Sequence, residues 1–183
     1  KWIHDIIGAS NPQTGYVPNG APWQPGCGGG VAWGAAICIM PWEFWVHYGD
    51  RDILRDSYEA MKGYVKYMLS WTDEKGIMFS QAVGRDGKVL RWMNLGDWMA
   101  PYKLPPDNMV HTFYLWYCAD IISRVAGILG NHQDEAIYGN LAEKTRTAFM
   151  SEFYDQVNGT FGRYGGNIIA LKMGVPEEIK KKV

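Results

Sequence analysis

Five side chains combine a suitable type with a suitable setting for chemistry: Trp33, Asp97, Trp98, His111 and Tyr164. Three are aromatic, one is a carboxylate and one an imidazole. Aromatic rings grouped with an Asp and flanked by glycines suit a neutral polar ligand with apolar faces. Sugars fit this description, because their C–H faces stack on rings while carboxylates and amides take the hydroxyls. Other chemistries have less support. The three cysteines, Cys27, Cys38 and Cys118, form no CxxC pair and are too scattered for a disulfide framework. His4, His47, His111 and His132 show no HExxH spacing, so a zinc site is not expected. Gly28-Gly29-Gly30 lacks the following Lys-Ser/Thr and the preceding strand that a phosphate-binding loop needs.

Each candidate has a structural reading beside the functional one. Trp33 opens an apolar stretch, so core packing competes with ligand contact, although its Gly-rich approach leaves the ring accessible. Trp98 rests on the same stacking argument, and Asp97 between Gly96 and Trp98 could instead cap a turn. His111 lies in a first helical turn, where capping or a hydrogen bond to a neighbouring loop is the default and sugar contact the alternative. Glu43 sits in the most apolar part of the chain, where a charge needs a partner, so a buried structural pair is expected there.

Helices and long connections must position these groups. Arg51–Trp71 is amphipathic, with Leu54, Tyr58, Met61, Val65 and Met68 on one stripe. Gln133–Tyr154 is amphipathic again, through Ile137, Leu141, Thr145, Ala148 and Phe153. Val31–Tyr48 and Met109–Leu129 are instead apolar around most of their circumference, which predicts burial on all sides. Pro41 inside the first of these must kink the helix or open a new one. Asn167–Met173 is a short apolar helix, and Pro176 begins another. Within the Thr72–Pro106 connection, Met78–Trp92 predicts a β-hairpin around Arg85-Asp86-Gly87.

Buried and half-exposed helices therefore alternate, as they do in a double layer of helical hairpins. An α/α toroid with inner and outer rings produces that order. Tyr48-Gly49-Asp50 and Leu129-Gly130-Asn131 both end an inner helix, a weak internal echo that supports it. A four-helix bundle would want a stripe on every helix. The connections Gly26–Trp33, Leu90–Pro101 and Asn158–Asn167 are long and carry Gly and aromatics. All three are expected to converge on one rim, at the N-terminal ends of the inner helices.

Composition limits the partners. Of 183 residues, 47% are hydrophobic and 14% aromatic, which excludes a disordered chain. Eighteen basic against nineteen acidic side chains leave a formal charge of −1, too little positive field for nucleic acid. No apolar run reaches the roughly 18 residues that suggest a membrane span.

The ordered segments Gly15-Tyr16-Val17-Pro18, Trp33-Gly34-Ala35-Ala36, Pro41-Trp42-Glu43, Tyr48-Gly49-Asp50 and Gly96-Asp97-Trp98 resemble the catalytic (α/α)6 barrel of α-L-rhamnosidases, glycoside hydrolase family 78. Asp107–Asp120 is similar to the helix that follows GDW in bacterial members. The resemblance implies an all-α fold, part of an (α/α)6 toroid, with residues 1–183 as a single partial domain from the middle of the barrel. It implies hydrolysis of terminal α-L-rhamnosyl bonds with inversion and without a cofactor. The family's general acid and general base are glutamates in flanking segments, so no catalytic residue is expected within this chain, and the isolated segment is expected to be inactive. Lys1 in place of Met and the IKKKV ending agree with a segment of something longer. By resemblance Trp33 and Trp98 line the rhamnose subsite, with Asp97 as a supporting candidate. Ala35 stands where most members have Asp, so a hydrogen bond from that position is lost. The implied partners are a rhamnose-containing glycan or glycoside and the remaining barrel segments, or copies of the chain, covering apolar helix edges. An exported bacterial protein, extracellular or periplasmic, is what the resemblance implies. Another inverting enzyme on this scaffold (trehalase- or phosphorylase-like) and a non-catalytic helical module that binds sugars or protein are the alternatives.

Overall fold

The structure, a computed structural model, describes residues 1–22, 30–83, 89–92, 104–162 and 165–183. Two helical hairpins form its centre, and the same local chemistry turns each of them. α3 (Ala36–Tyr48) ends at Gly49 with φ +68°, and Asp50 caps α4 (Arg51–Leu69) by accepting from the Asp52 N–H at 2.9 Å. α5 (Asp107–Leu129) ends at Gly130 with φ +84°, and Asn131 caps α6 (His132–Phe153) by accepting from the Asp134 N–H at 3.1 Å. A left-handed residue followed at once by an Asx cap reverses the chain within two residues, and glycine supplies that conformation at least cost.

The hairpins lie side by side, α3 against α5 and α4 against both of them. On the outer side, the Tyr58 hydroxyl donates to Asp134 at 2.8 Å and Lys62 reaches the same carboxylate at 3.3 Å, joining α4 to α6. This is the expected double layer. The α4 stripe of Leu54, Tyr58, Met61, Val65 and Met68 is buried throughout. α5 serves two cores at once. Leu115, Cys118, Ile122 and Val125 pack with α3 and α4, while Met109, Trp116 and Ala119 pack with Phe149 of α6 and with Ala170 and Met173 of α7 (Gly166–Met173). Its all-round apolar character follows from that double duty. α8 (Glu177–Lys180) begins just after Pro176.

Several expectations are corrected. Val31–Tyr48 is two helices, α2 (Val31–Gly34) and α3, separated at Ala35 rather than at Pro41, which lies inside α3. The reason is tertiary. The fully buried Tyr64 fills the space beside Gly34 and donates its hydroxyl to the Val31 carbonyl at 2.7 Å, which anchors α2 as a separate turn. α3 is not covered on all sides, because only Ile37, Cys38 and Pro41 are buried while Val46 and Tyr48 are 51% and 74% exposed. On α6 the buried face runs through Ala142, Thr145 and Phe149, leaving Ile137 exposed, so the stripe is rotated from its expected line. An additional helix, α1 (Trp2–Ala9), packs Ile3, Ile6 and Ile7 against α3 and α4.

The expected hairpin is present as β1 (Gln81–Val83) paired antiparallel with β2 (Val89–Trp92), with Gln81 opposite Trp92 and a register shift after Ala82. Its proposed turn, Arg85-Asp86-Gly87, lies outside the described residues.

Candidate functional site

Trp33 projects from the single turn of α2 and remains 43% exposed. It forms one wall of a cleft of about 530 Å³ whose other sides come from α1 (Trp2, Ile6), the Val17–Asn19 turn, α3 (Met40) and α5 (Tyr114). Two contacts fix the α2 turn that carries it. The Gly30 N–H donates to Asn19 Oδ1 at its entrance, and Tyr64 holds the Val31 carbonyl from beneath. The lining is aromatic and aliphatic with the Asn19 amide at its edge, and no charged side chain is among the described lining residues. Such a surface offers ring faces to apolar ligand faces and a few polar groups to hydroxyls. Ala35 is fully buried, so that position adds packing and no polar group.

The N-terminal end of α5 gathers the neighbouring connections. A Cβ placed on Gly165 would lie 3.1 Å from Pro105 Cγ, and one on Gly166 would lie 3.5 Å from Met109 Sδ, so the approaches to α5 and α7 touch. Tyr114, one turn further along α5 from His111, reaches the Trp33 cleft.

His111 is fully buried and its Nδ1 hydrogen-bonds the Phe79 carbonyl at 2.9 Å. Beside it, Thr112 Oγ1 accepts from the Met78 N–H at 3.0 Å and donates to the Asn108 carbonyl at 2.7 Å. Adjacent residues of α5 thus clamp the segment that leads into β1, which is the neighbouring-loop role weighed for His111. The other ring nitrogen, Nε2, is buried with no hydrogen-bond partner among the described residues.

Burial holds the His111 pKa below the usual imidazole range, opposed by the Phe79 hydrogen bond and by the charge of Asp107. The unfolded chain therefore takes up a proton at a pH where the folded chain does not. Stability contributed by neutral His111 is complete above about pH 6.5 and declines as pH falls from there toward the lower folded value. Urea unfolding between pH 7 and pH 5 is expected to show a falling midpoint in the native sequence and a flatter profile in His111→Gln. Parallel profiles would remove His111 as the cause.

Glu43 departs from expectation: it is exposed on α3, with the His47 ring nitrogen 3.7 Å away on the next turn. Open to solvent, it requires no buried partner. Asp97, Trp98 and Tyr164 lie outside the described residues. Trp2, Met40 and Tyr114 enter the cleft without having been singled out from the sequence. A Trp, a Met and a Tyr in apolar stretches signal burial equally well, and only the packing of α1, α3 and α5 turns them toward Trp33.

A second groove, about 660 Å³, runs over the outer face between the end of α1, α4 and Tyr138. Its charges are mixed, and Lys62 is engaged by Glu59 at 2.8 Å as well as by Asp134. Among the described residues no group of three or more His, Cys, Asp or Glu side chains could hold a metal ion, and no helix is long and apolar enough to cross a membrane.

A family model described as the bacterial alpha-L-rhamnosidase 6 hairpin glycosidase domain matches residues 1–183. An α-L-rhamnosidase of Streptomyces avermitilis is 28% identical over 99% of this chain, and one of an Alteromonas species is 27% identical over 79%. The chain spans only 16% and 15% of those two proteins. Among solved structures, the Streptomyces avermitilis α-L-rhamnosidase complexed with L-rhamnose superposes with a TM-score of 0.81 at 25% identity, covering 99% of this chain and 16% of that one. The α-L-rhamnosidase of Dictyoglumus thermophilum superposes with a TM-score of 0.80 at 26% identity, covering 100% of this chain and 20% of that one.

Proposed function

Because this chain belongs to the bacterial α-L-rhamnosidase six-hairpin glycosidase family, we propose that it builds part of the sugar-binding wall of a barrel whose full-length protein hydrolyses terminal α-L-rhamnosyl bonds. The observation that carries this reading is the half-exposed Trp33 ring in an uncharged, aromatic-lined cleft. The indole stacks on the apolar face of the sugar, and Trp98 and Asp97, which lie outside the described residues, are assigned to binding the same sugar. His111 contributes by holding the Ile77–Phe79 segment in place.

The reaction proceeds with inversion. A protonated carboxyl gives its proton to the departing glycosidic oxygen, while a second carboxylate draws a proton from water on the opposite face of the ring. The two groups then stand ~6.5–9.5 Å apart to leave room for that water. In this reading both are glutamates outside residues 1–183, and the chain's own residues bind and orient the sugar. The exposed apolar face of α3, with Val46 and Tyr48, packs against other segments of the same barrel.

The test is turnover of an aryl α-L-rhamnoside. The full-length protein is expected to cleave it, with β-L-rhamnose as the first product seen by NMR, and the isolated 183-residue chain is expected to give none. α-L-rhamnose as first product would overturn inversion. Turnover by the isolated chain would overturn the placement of the carboxylates. Cleavage of trehalose, or phosphorolysis, in place of rhamnoside hydrolysis would overturn the substrate.

A further inference from the structure

The Trp33 cleft offers more apolar surface than one sugar ring needs. At about 530 Å³ it falls within the roughly 300–1,000 Å³ that takes a drug-sized molecule, and a lone rhamnosyl ring fills only part of it. Its polar side-chain groups are few: the Asn19 amide, the Tyr114 hydroxyl and the indole N–H groups of Trp2 and Trp33. The Asn19 oxygen already accepts from the Gly30 N–H. No carboxylate is among the described lining residues, so sugar hydroxyls find few acceptors there. The remainder is ring face and aliphatic surface, including the side formed by Trp2 and Ile6 of α1 with Pro18. Trp2 is 75% exposed and belongs to neither core. One exposed indole is unremarkable on a protein surface, but Trp2 and Trp33 are two on a single cleft. An uncharged concavity with two indoles suits a flat ring system, which gains stacking as well as apolar burial.

We infer that the α1 side of this cleft, Trp2 with Ile6 and Pro18, binds the aglycone of the rhamnoside, and that this aglycone is an aromatic ring system. The inference rests on the rhamnosidase reading above. The rhamnosyl ring takes Trp33, beside Met40 and Tyr114, and the group beyond the glycosidic oxygen takes Trp2. A second sugar in that place would lose the hydration of its hydroxyls against a wall that cannot replace it. An aromatic aglycone carries no such cost. Its contact with Trp2 is the same before and during bond cleavage, so it acts on KM rather than on kcat.

The test uses the full-length protein with 4-methylumbelliferyl α-L-rhamnoside as substrate and free L-rhamnose as competitive inhibitor. Trp2→Ala is expected to raise KM about tenfold, while the inhibition constant of L-rhamnose stays within about twofold. Trp2→Phe, which keeps a ring, should raise KM by only about threefold. Trp33→Ala should weaken substrate and rhamnose alike. Because Trp2 is exposed, its variants should melt within about 2 °C of the native protein. A larger fall would make Trp2 a packing residue and overturn the assignment. So would an unchanged KM, or a rhamnose inhibition constant that rises with KM. An equal loss on a rhamnosyl-glucose disaccharide would overturn the aromatic preference. No cleavage of the umbelliferyl rhamnoside by the native protein would remove the rhamnosidase reading itself, and this inference with it.

Discussion

Trp33→Ala in the full-length protein is expected to lower kcat/KM for an aryl α-L-rhamnoside by roughly 10- to 100-fold. The indole is 43% exposed and faces the cleft, so its removal takes away a stacking surface without opening a core cavity. A ring face against a sugar face combines apolar burial with a specific stacking contribution of about 0.5–1.5 kcal/mol, and a loss of 1.4 kcal/mol is tenfold in rate. The unfolding temperature should therefore change by no more than about 2 °C, and Trp33→Phe, which keeps a smaller ring, should recover part of the activity. Steady-state kinetics beside thermal melts make the comparison. Unchanged kcat/KM in a folded Trp33→Ala protein would remove this residue from the sugar wall.

Gly34→Ala is expected to be strongly destabilising, although it adds a single methyl group. Its Cβ would lie 2.3 Å from Tyr64 Oη and 2.6 Å from Tyr64 Cζ. Tyr64 is fully buried, so its ring has nowhere to go without disturbing the α4 face. Moving it also takes the hydroxyl from the Val31 carbonyl, leaving that acceptor buried without its partner. Overpacking and the lost hydrogen bond together amount to about 3 kcal/mol, or roughly 6–12 °C in Tm. Gly34 adjoins Trp33, so activity should fall as well. Gly8→Ala is the control, since a Cβ there meets nothing within 4 Å and alanine favours the helix. Equal stability of the Gly34→Ala and Gly8→Ala proteins would contradict the packing described here.

What could be read before the structure divides along physical lines. The α4 stripe and the two Gly-Asx reversals were legible because each is local: helical period in one case, a left-handed residue plus a cap in the other. The double layer was legible because α5 is apolar on every side and α4 is not. The break at Ala35 was not, since it depends on Tyr64, which is 29 residues away in sequence. α6 misled because Ile137 signals burial by type, whereas the helix turns Phe149 inward to pack with Phe161 and the α5–α7 core. In α3, apolar composition marks residues that want cover without showing that this chain supplies it, and Glu43 and His47 share that open side. Trp33 was legible as an aromatic behind a glycine-rich approach. Trp2, Met40 and Tyr114 were not, because helical side chains become cleft residues only through the packing of their helices.

The most direct test of the account is a crystal structure of the full-length protein with L-rhamnose. A sugar ring with carbon atoms within about 4 Å of the Trp33 indole, in the cleft bounded by Met40 and Tyr114, is the predicted result. Rhamnose bound elsewhere, with that indole covered by protein, would contradict it.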